Sequence, residues 1–213
     1  MVKKVIFFSI LFICVFTLVG SQQRENIFAE EQNKSNAVKD ISKYLKMRLD
    51  YSQSKKYNPY DSEVGDIRGE CAELTIENKF KEVAEKANRG LEKDKYNIQL
   101  LIALANAYRK LGDIENANKY RILWMGLVDS IMASGDGKSP EIAFKVISVA
   151  EEYALLMVLK LEWTGKQSLA EINGSEFDIL TVKDIKTGAV SELYFNVDIP
   201  FKWLLKKNQA EEK

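Results

Sequence analysis

The chain has 213 residues, 46% hydrophobic and 29% charged, enough apolar mass for one ordinary domain or two small ones and enough charge for a wetted surface. Its 31 basic and 31 acidic residues balance without a clustered basic excess, which excludes a nucleic-acid surface. It holds no histidine, which excludes Ser–His and Cys–His nucleophile pairs and every His-ligated metal site.

The chain opens with "MVKK", a basic start, followed by the apolar run Val5–Val19, interrupted only by Ser9 and Thr17, and then by polar "GSQQREN". This is the three-part pattern of a secretory leader over 1–21, with Ser21 as the cleavage position. Fifteen residues are short for a membrane span, which needs about 20; an uncleaved N-terminal tether is the alternative. Cys14 follows the bulky Ile13 inside the run, so it does not read as a lipidated cysteine. Loss of the leader takes Lys3 and Lys4 with it and leaves 29 basic against 31 acidic residues, a formal charge of −2. The protein is thus expected to be exported, to periplasm or medium, with no membrane contact after cleavage. Only Cys71 then remains. A single thiol forms no internal disulfide, and in "RGECAELT" it is either reactive or a passive buried cysteine.

Residues 22–35 are rich in Gln, Asn and Glu and read as a flexible linker. From Asn36 to Tyr51 the apolar residues Val38, Ile41, Tyr44, Leu45 and Leu49 form a helical stripe. Pro59, Gly65 and Gly69 then act as breakers. "AYRKLGDIENANKY" has the form of a helical-hairpin turn: an apolar helix, Gly112 to cap it, Asp113 to turn the chain, and small Ala117 in the next helix. Leu101, Leu104, Ala105, Tyr108, Gly112 and Ala117 resemble a tetratricopeptide repeat. Phe80, Val83, Ala87 and Gly90 fall at matching places about one repeat earlier. Trp124 stands where a small residue is expected and Asp129 where the usual proline would be. The array is expected to end there, its last helix running on through "LWMGLVDSIM". The helical region spans 36–133, and so few repeats need the rest of the chain to cover their open face.

An α+β region is expected over 134–207, packed on the helices, with a loose tail at 208–213. "AFKVIS" (Ala143–Ser148) reads as a strand. Val149–Leu161 reads as a helix behind a capping box, although Tyr153, Leu155, Met157, Leu159 and Leu161 also alternate as a strand would. Gln167–Ile172, Asp178–Lys183 and Glu192–Val197 read as strands separated by turn material, and "PFKWLLKK" as a short closing helix. The fold class is therefore α+β: tetratricopeptide-like helical hairpins, then a small, mainly antiparallel sheet with one or two helices.

"YNPYD", "SGDGKSPEIAFKVISVAEEYALL", "KQSL" and "LYFNV" occur in that order. They resemble a bacterial exported family catalogued as domain of unknown function 4919, over roughly Lys56–Val197. Lys160 stands where a glycine would end the helix. The resemblance implies export and supplies no activity or catalytic residue.

The loop "SGDGKSPE" is the most suggestive site candidate. It is not a Walker loop, because Met132 occupies the position of the required first glycine and a helix, not a strand, precedes it. Nor is it an EF-hand, whose first ligand would again be Met132. It is either a sharp turn or a binding loop. As a turn, Gly135 and Gly137 supply unusual φ angles and Ser139-Pro140-Glu141 starts a helical turn. As a site, the turn's backbone amides beside Lys138 would make an anion nest, or Asp136, Glu141, Glu151 and Glu152 would hold a cation; Ser134, Asp136, Lys138 and Ser139, with Glu152 and Tyr153, are the small-ligand candidates. Asp136 and Glu152 as a catalytic carboxylate pair is a third reading. Tyr57, Tyr60 and Asp61 would line a groove for an extended peptide or a sugar ring. No cofactor or resident metal is expected. The leading expectation is a non-catalytic helper or protein-interaction module of the cell envelope, bound to a protein or envelope partner. The alternative is a small-ligand or cation-binding module built on Ser134–Ser139.

Overall fold

The computed structural model describes residues 40–211. The expected leader, the linker and the first residues of the expected first helix lie outside the described residues. Helix α1 spans 40–52. It is followed by α2 (Ser62–Ile76), α3 (Phe80–Lys93), α4 (Ile98–Lys110) and α5 (Ile114–Met132). After a 3₁₀ turn at Pro140–Ile142 come β1 (Phe144–Lys145), α6 (Val149–Leu159), β2 (Leu161–Ile172), β3 (Ser175–Asp184), β4 (Val190–Asn196) and α7 (Asp198–Glu211). The fold is α+β, with five helices preceding a four-stranded sheet. Helix α7 continues through residues expected to be loose, as far as Glu211. No helix among the described residues is long and apolar enough to cross a membrane.

Local chemistry sets the helix starts. Asp61, Asn97 and Asp113 accept the amides of Val64, Leu100 and Asn116, so α2, α4 and α5 begin on a carboxylate or amide cap, while α3 starts after Lys79 without one. Gly112, at φ +83°, closes α4 one residue before the Asp113 cap. Val83, Ala84, Ala87 and Gly90 form the small buried face of α3, which lets Leu100 and Leu104 of α4 approach closely.

Helix α1 turns a different face inward from the one expected. Tyr44, Arg48 and Ser52, at i, i+4 and i+8, are buried, while Leu45 and Leu49 face solvent. Two partners cause this. The Tyr44 ring lies directly on Gly126 of α5, where any side-chain carbon would collide with it. Arg48 finds a buried acid on α6.

The sheet order is β1-β4-β3-β2, with β1 parallel to β4 and the other pairs antiparallel. Strand β1 is only two residues long, shorter than the six expected. Strand β2 starts six residues before the expected Gln167, because Gly165, at φ +85°, sits in a register shift between Trp163 and Gln167 rather than ending the strand. Leu180, Val182, Leu193 and Phe195 share the core with Ala154, Leu155 and Leu156 of α6.

Helix α6 forms where the alternating pattern also allowed a strand. It ends at Leu159, two residues short of the expected Leu161, and Lys160 takes the left-handed conformation (φ 60°, ψ 42°) that a glycine adopts without strain. Lys160→Gly should therefore gain about 0.5–1 kcal/mol, since a side chain in that conformation costs roughly 1–2 kcal/mol and glycine gives part of the gain back as chain entropy. Thermal unfolding measures it; a lowered midpoint would mean that the lysine side chain contributes more than the strain removes.

Two apolar clusters make up the interior. The first joins α1, α4, α5, α6 and the sheet; the second joins α2, α3 and α4. Helix α4 serves both, sending Ile98 and Leu101 into the first and Leu100, Leu104 and Ala107 into the second.

Candidate functional site

Arg48 ties four elements together. Its Nε and Nη2 donate to the two carboxylate oxygens of Glu151 at 2.8 and 2.6 Å; Nη1 reaches the Ser130 hydroxyl at 3.3 Å and Nη2 the Lys145 carbonyl at 2.8 Å. Glu151 also accepts the Ile147 amide at 2.8 Å. Arg48 is 2% exposed and Glu151 4%. The pair is saturated with hydrogen bonds, the condition under which a buried ion pair is tolerated. Its role is to pin α1 to the start of α6. Composition gave no sign of it. The available signal was a charge in phase with Tyr44 and Ser52 on α1, and two acids inside the otherwise apolar "VAEEYALLMVL".

Glu152, the next residue, is fully buried on the core side of α6. No donor from the rest of the described protein reaches its carboxyl oxygens. Its neighbour is Asp178 on β3, and a hydrogen bond between two carboxyls requires that one keep its proton. Burial, reinforced by the Asp178 charge, holds the Glu152 carboxyl well above the usual carboxylate range. Burial raises Asp178 too, but Gln167 donates to its Oδ2 at 2.5 Å and opposes the rise. These causes place the stronger upward shift on Glu152.

The loop 134–141 uses most of its donors on itself. The amides of Asp136 and Gly137 both donate to the Ile142 carbonyl, at 3.0 and 2.8 Å, and the Lys138 amide donates to Asp136 Oδ1. The Lys138 ammonium pairs with Asp136 at 2.9 Å, which lowers the Asp136 carboxyl. Ser139 donates to Glu141, and Ser134 accepts the Lys145 amide. Gly137, at φ +73°, lies so close to the Phe144 ring that a side chain would strike it, and its carbonyl accepts the Tyr194 amide. The acids considered as one cation site are thus engaged separately: Asp136 by Lys138, Glu141 by Ser139, Glu151 by Arg48 and Glu152 by Asp178. Among the described residues no three acids or thiols gather closely enough to hold a metal ion. Cys71 is buried, and burial pushes its thiol up, away from the reactive thiolate.

The "NPYD" turn separates its two tyrosines. Tyr57 is buried and its hydroxyl donates to the Ile147 carbonyl. Tyr60 is exposed, its ring 6.1 Å from Trp203. Asp61 caps α2. Tyr60, Asp61 and Tyr153, taken from two separate stretches of sequence, come together at one cleft of about 290 Å³ between α2, the segment after α3, and α6.

A larger groove, about 580 Å³, runs between the end of α1 and the end of α3. Met47, Leu91 and the edge-on rings of Tyr51 and Tyr96, 5.6 Å apart, make its apolar floor. Lys55, Lys56, Lys93 and Lys95 surround it, against Asp50 and Glu92. Asp50 is matched by Lys46 at 2.6 Å and Lys93 by Glu63 at 2.8 Å, while Lys55 and Lys56 have no acid within ion-pair distance among the described residues. Nothing in the sequence marks these lysines as a set, because Lys55 in "SKKYN" and Lys93 in "EKDKYN" are 38 positions apart and only the fold brings them to one rim.

A family model described as "Domain of unknown function (DUF4919)" matches residues 25–206. The chain belongs to the DUF4919 family. No curated protein and no solved structure matches it. The four stretches through which the sequence resembles DUF4919 interlock in the fold. Tyr57 of "YNPYD" donates to Ile147 in the long central stretch, Tyr194 of "LYFNV" donates to Gly137 in the same stretch, and Gln167 of "KQSL" holds Asp178 beside Glu152. In this DUF4919 chain those motifs hold the fold together around α6.

Proposed function

We propose that this protein is a non-catalytic binding module of the bacterial cell envelope that holds an acidic segment of a partner protein in the groove between α1 and α3. The observation that carries this is the groove itself: an apolar floor with two braced tyrosines under a rim where lysines outnumber acids. An acidic segment carrying an aliphatic or aromatic anchor would bury the anchor on Met47, Leu91 and Tyr96 and meet Lys55 and Lys56 at the rim, the division between apolar centre and polar edge common to protein interfaces. The expected leader and the tetratricopeptide-like hairpin support an exported interaction module, and the absence of histidine agrees with a non-catalytic role.

The test is site-specific photocrosslinking from Ser54 in the native envelope, comparing the parent chain with Lys55→Glu/Lys56→Glu. Both lysines are exposed, so folding should be unaffected. The expected result is a discrete crosslinked product that weakens at high salt and is lost on charge reversal. A product unchanged by the reversal, or no product, would overturn the proposal.

A further inference from the structure

We infer that the cleft walled by Tyr60 and Tyr153 binds a neutral, hydroxyl-rich ring, such as one hexopyranose unit of an envelope glycan. The cleft, at about 290 Å³, lies just below the usual size of ligand pockets, roughly 300–1,000 Å³. One ring fits inside it, and a longer glycan would continue over the mouth. Its two aromatic walls are braced. Tyr60 leans on Trp203, and the Tyr153 ring meets Trp163 edge-on at 6.0 Å. A braced tyrosine offers flat apolar surface to the C–H face of a sugar with little side-chain entropy left to lose.

The polar lining selects the ligand class. Asp61 and Asp94 accept, Asn58 and Arg68 donate, and the tyrosine hydroxyls do both. Asp61 uses one oxygen on the α2 cap. Arg68 gives one N–H to Gln99, and its Nε has no partner. Asp61, Asp94 and Arg68 line the same cleft, so an anion or a cation entering it meets a like charge as well as its opposite. A hydroxyl donates and accepts, and satisfies both kinds of neighbour. Burial, with the nearby Glu152 and Asp178 carboxyls, raises both phenols, so Tyr60 and Tyr153 stay protonated donors. The cleft shares no lining residue with the lysine-rimmed groove, so either site can fail alone.

The experiment is a fluorescence and saturation-transfer NMR titration of the full chain. The probes are methyl β-glucoside, methyl β-galactoside and N-acetylglucosamine, with inorganic phosphate and butylamine as charged probes. Saturable binding of at least one sugar is expected. It should weaken at least tenfold in Tyr60→Ala and in Tyr153→Ala, persist in Tyr60→Trp, and be untouched by Lys55→Glu/Lys56→Glu. Asp61→Asn keeps the helix cap, because Asn and Asp cap equally well, and removes only the acceptor charge. It should weaken binding without moving the unfolding midpoint, and it decides the matter if the alanine variants are unstable. The inference is overturned if no sugar gives a saturable response, if phosphate or butylamine binds more tightly than the sugars, or if sugar binding ignores the substitutions at Tyr60, Tyr153 and Asp61.

Discussion

Arg48→Ala is expected to cost about 3–5 kcal/mol, the usual effect of removing one partner of a buried ion pair. Domains of this kind have only about 5–15 kcal/mol in total, so the variant would be near the edge of folding. The loss comes less from the missing attraction than from what stays behind. Glu151 would be 4% exposed with its charge uncompensated, and the Lys145 carbonyl would lose its donor. Arg48→Lys should recover little, because one ammonium cannot span both oxygens of Glu151 and the Lys145 carbonyl together. The double variant Arg48→Met/Glu151→Leu should recover most of the loss, since a buried pair replaced by apolar groups of similar volume is often neutral. Urea unfolding of the parent, Arg48→Met, Glu151→Leu and the double variant gives the coupling directly. A loss under about 1 kcal/mol for Arg48→Ala would show that the network does not hold α1 to α6.

Glu152→Gln should stabilise the protein at neutral and alkaline pH and do little near pH 4. Burial first and the Asp178 charge second raise the Glu152 carboxyl well above its ordinary value in the folded protein, while in the unfolded chain a glutamate titrates near pH 4.3. Its folded pKa is thus raised. The contribution of the proton to stability is complete below the unfolded value and is lost as pH rises toward the folded one. Between those limits the native state binds more protons than the unfolded state, and stability falls by about 1.4 kcal/mol per pH unit for that proton. Glutamine keeps the shape and a donor for Asp178 but does not titrate. Denaturant unfolding from pH 4.5 to 8.5 should show the parent losing stability with rising pH relative to the variant. Parallel curves would mean that Glu152 is ionised in the folded state and finds its compensation elsewhere.

The parts of the fold legible in the sequence were those written in neighbouring residues. Gly112 followed by Asp113 announced a hairpin, and the α4–α5 turn lies there. The alternation Leu193, Phe195, Val197 announced the β4 core face, and all three are buried. What stayed hidden depended on partners far along the chain. The stripe on α1 was chosen by hydrophobicity, and Leu45 and Leu49 look more buried than Arg48 until Glu151, 103 residues away, is placed opposite. Glu152 stands out in the sequence as an acid in an apolar helix, but its acid partner is set by the register of β3, where Asp178 lies opposite Phe195, and no spacing predicts that. The cleft and the lysine rim share that origin. The groove draws on two segments and the cleft on three, and only packing makes them neighbours.

Helix α4 carries a consequence for how the molecule comes apart. Because Ile98 and Leu101 point into one cluster and Leu100, Leu104 and Ala107 into the other, no cut through the chain separates a self-sufficient helical part from a self-sufficient sheet part. Loosening either cluster strips one side of the same thirteen-residue helix and weakens the other. Cooperativity is built into a single shared element, and a partner gripping the helical side also steadies the sheet.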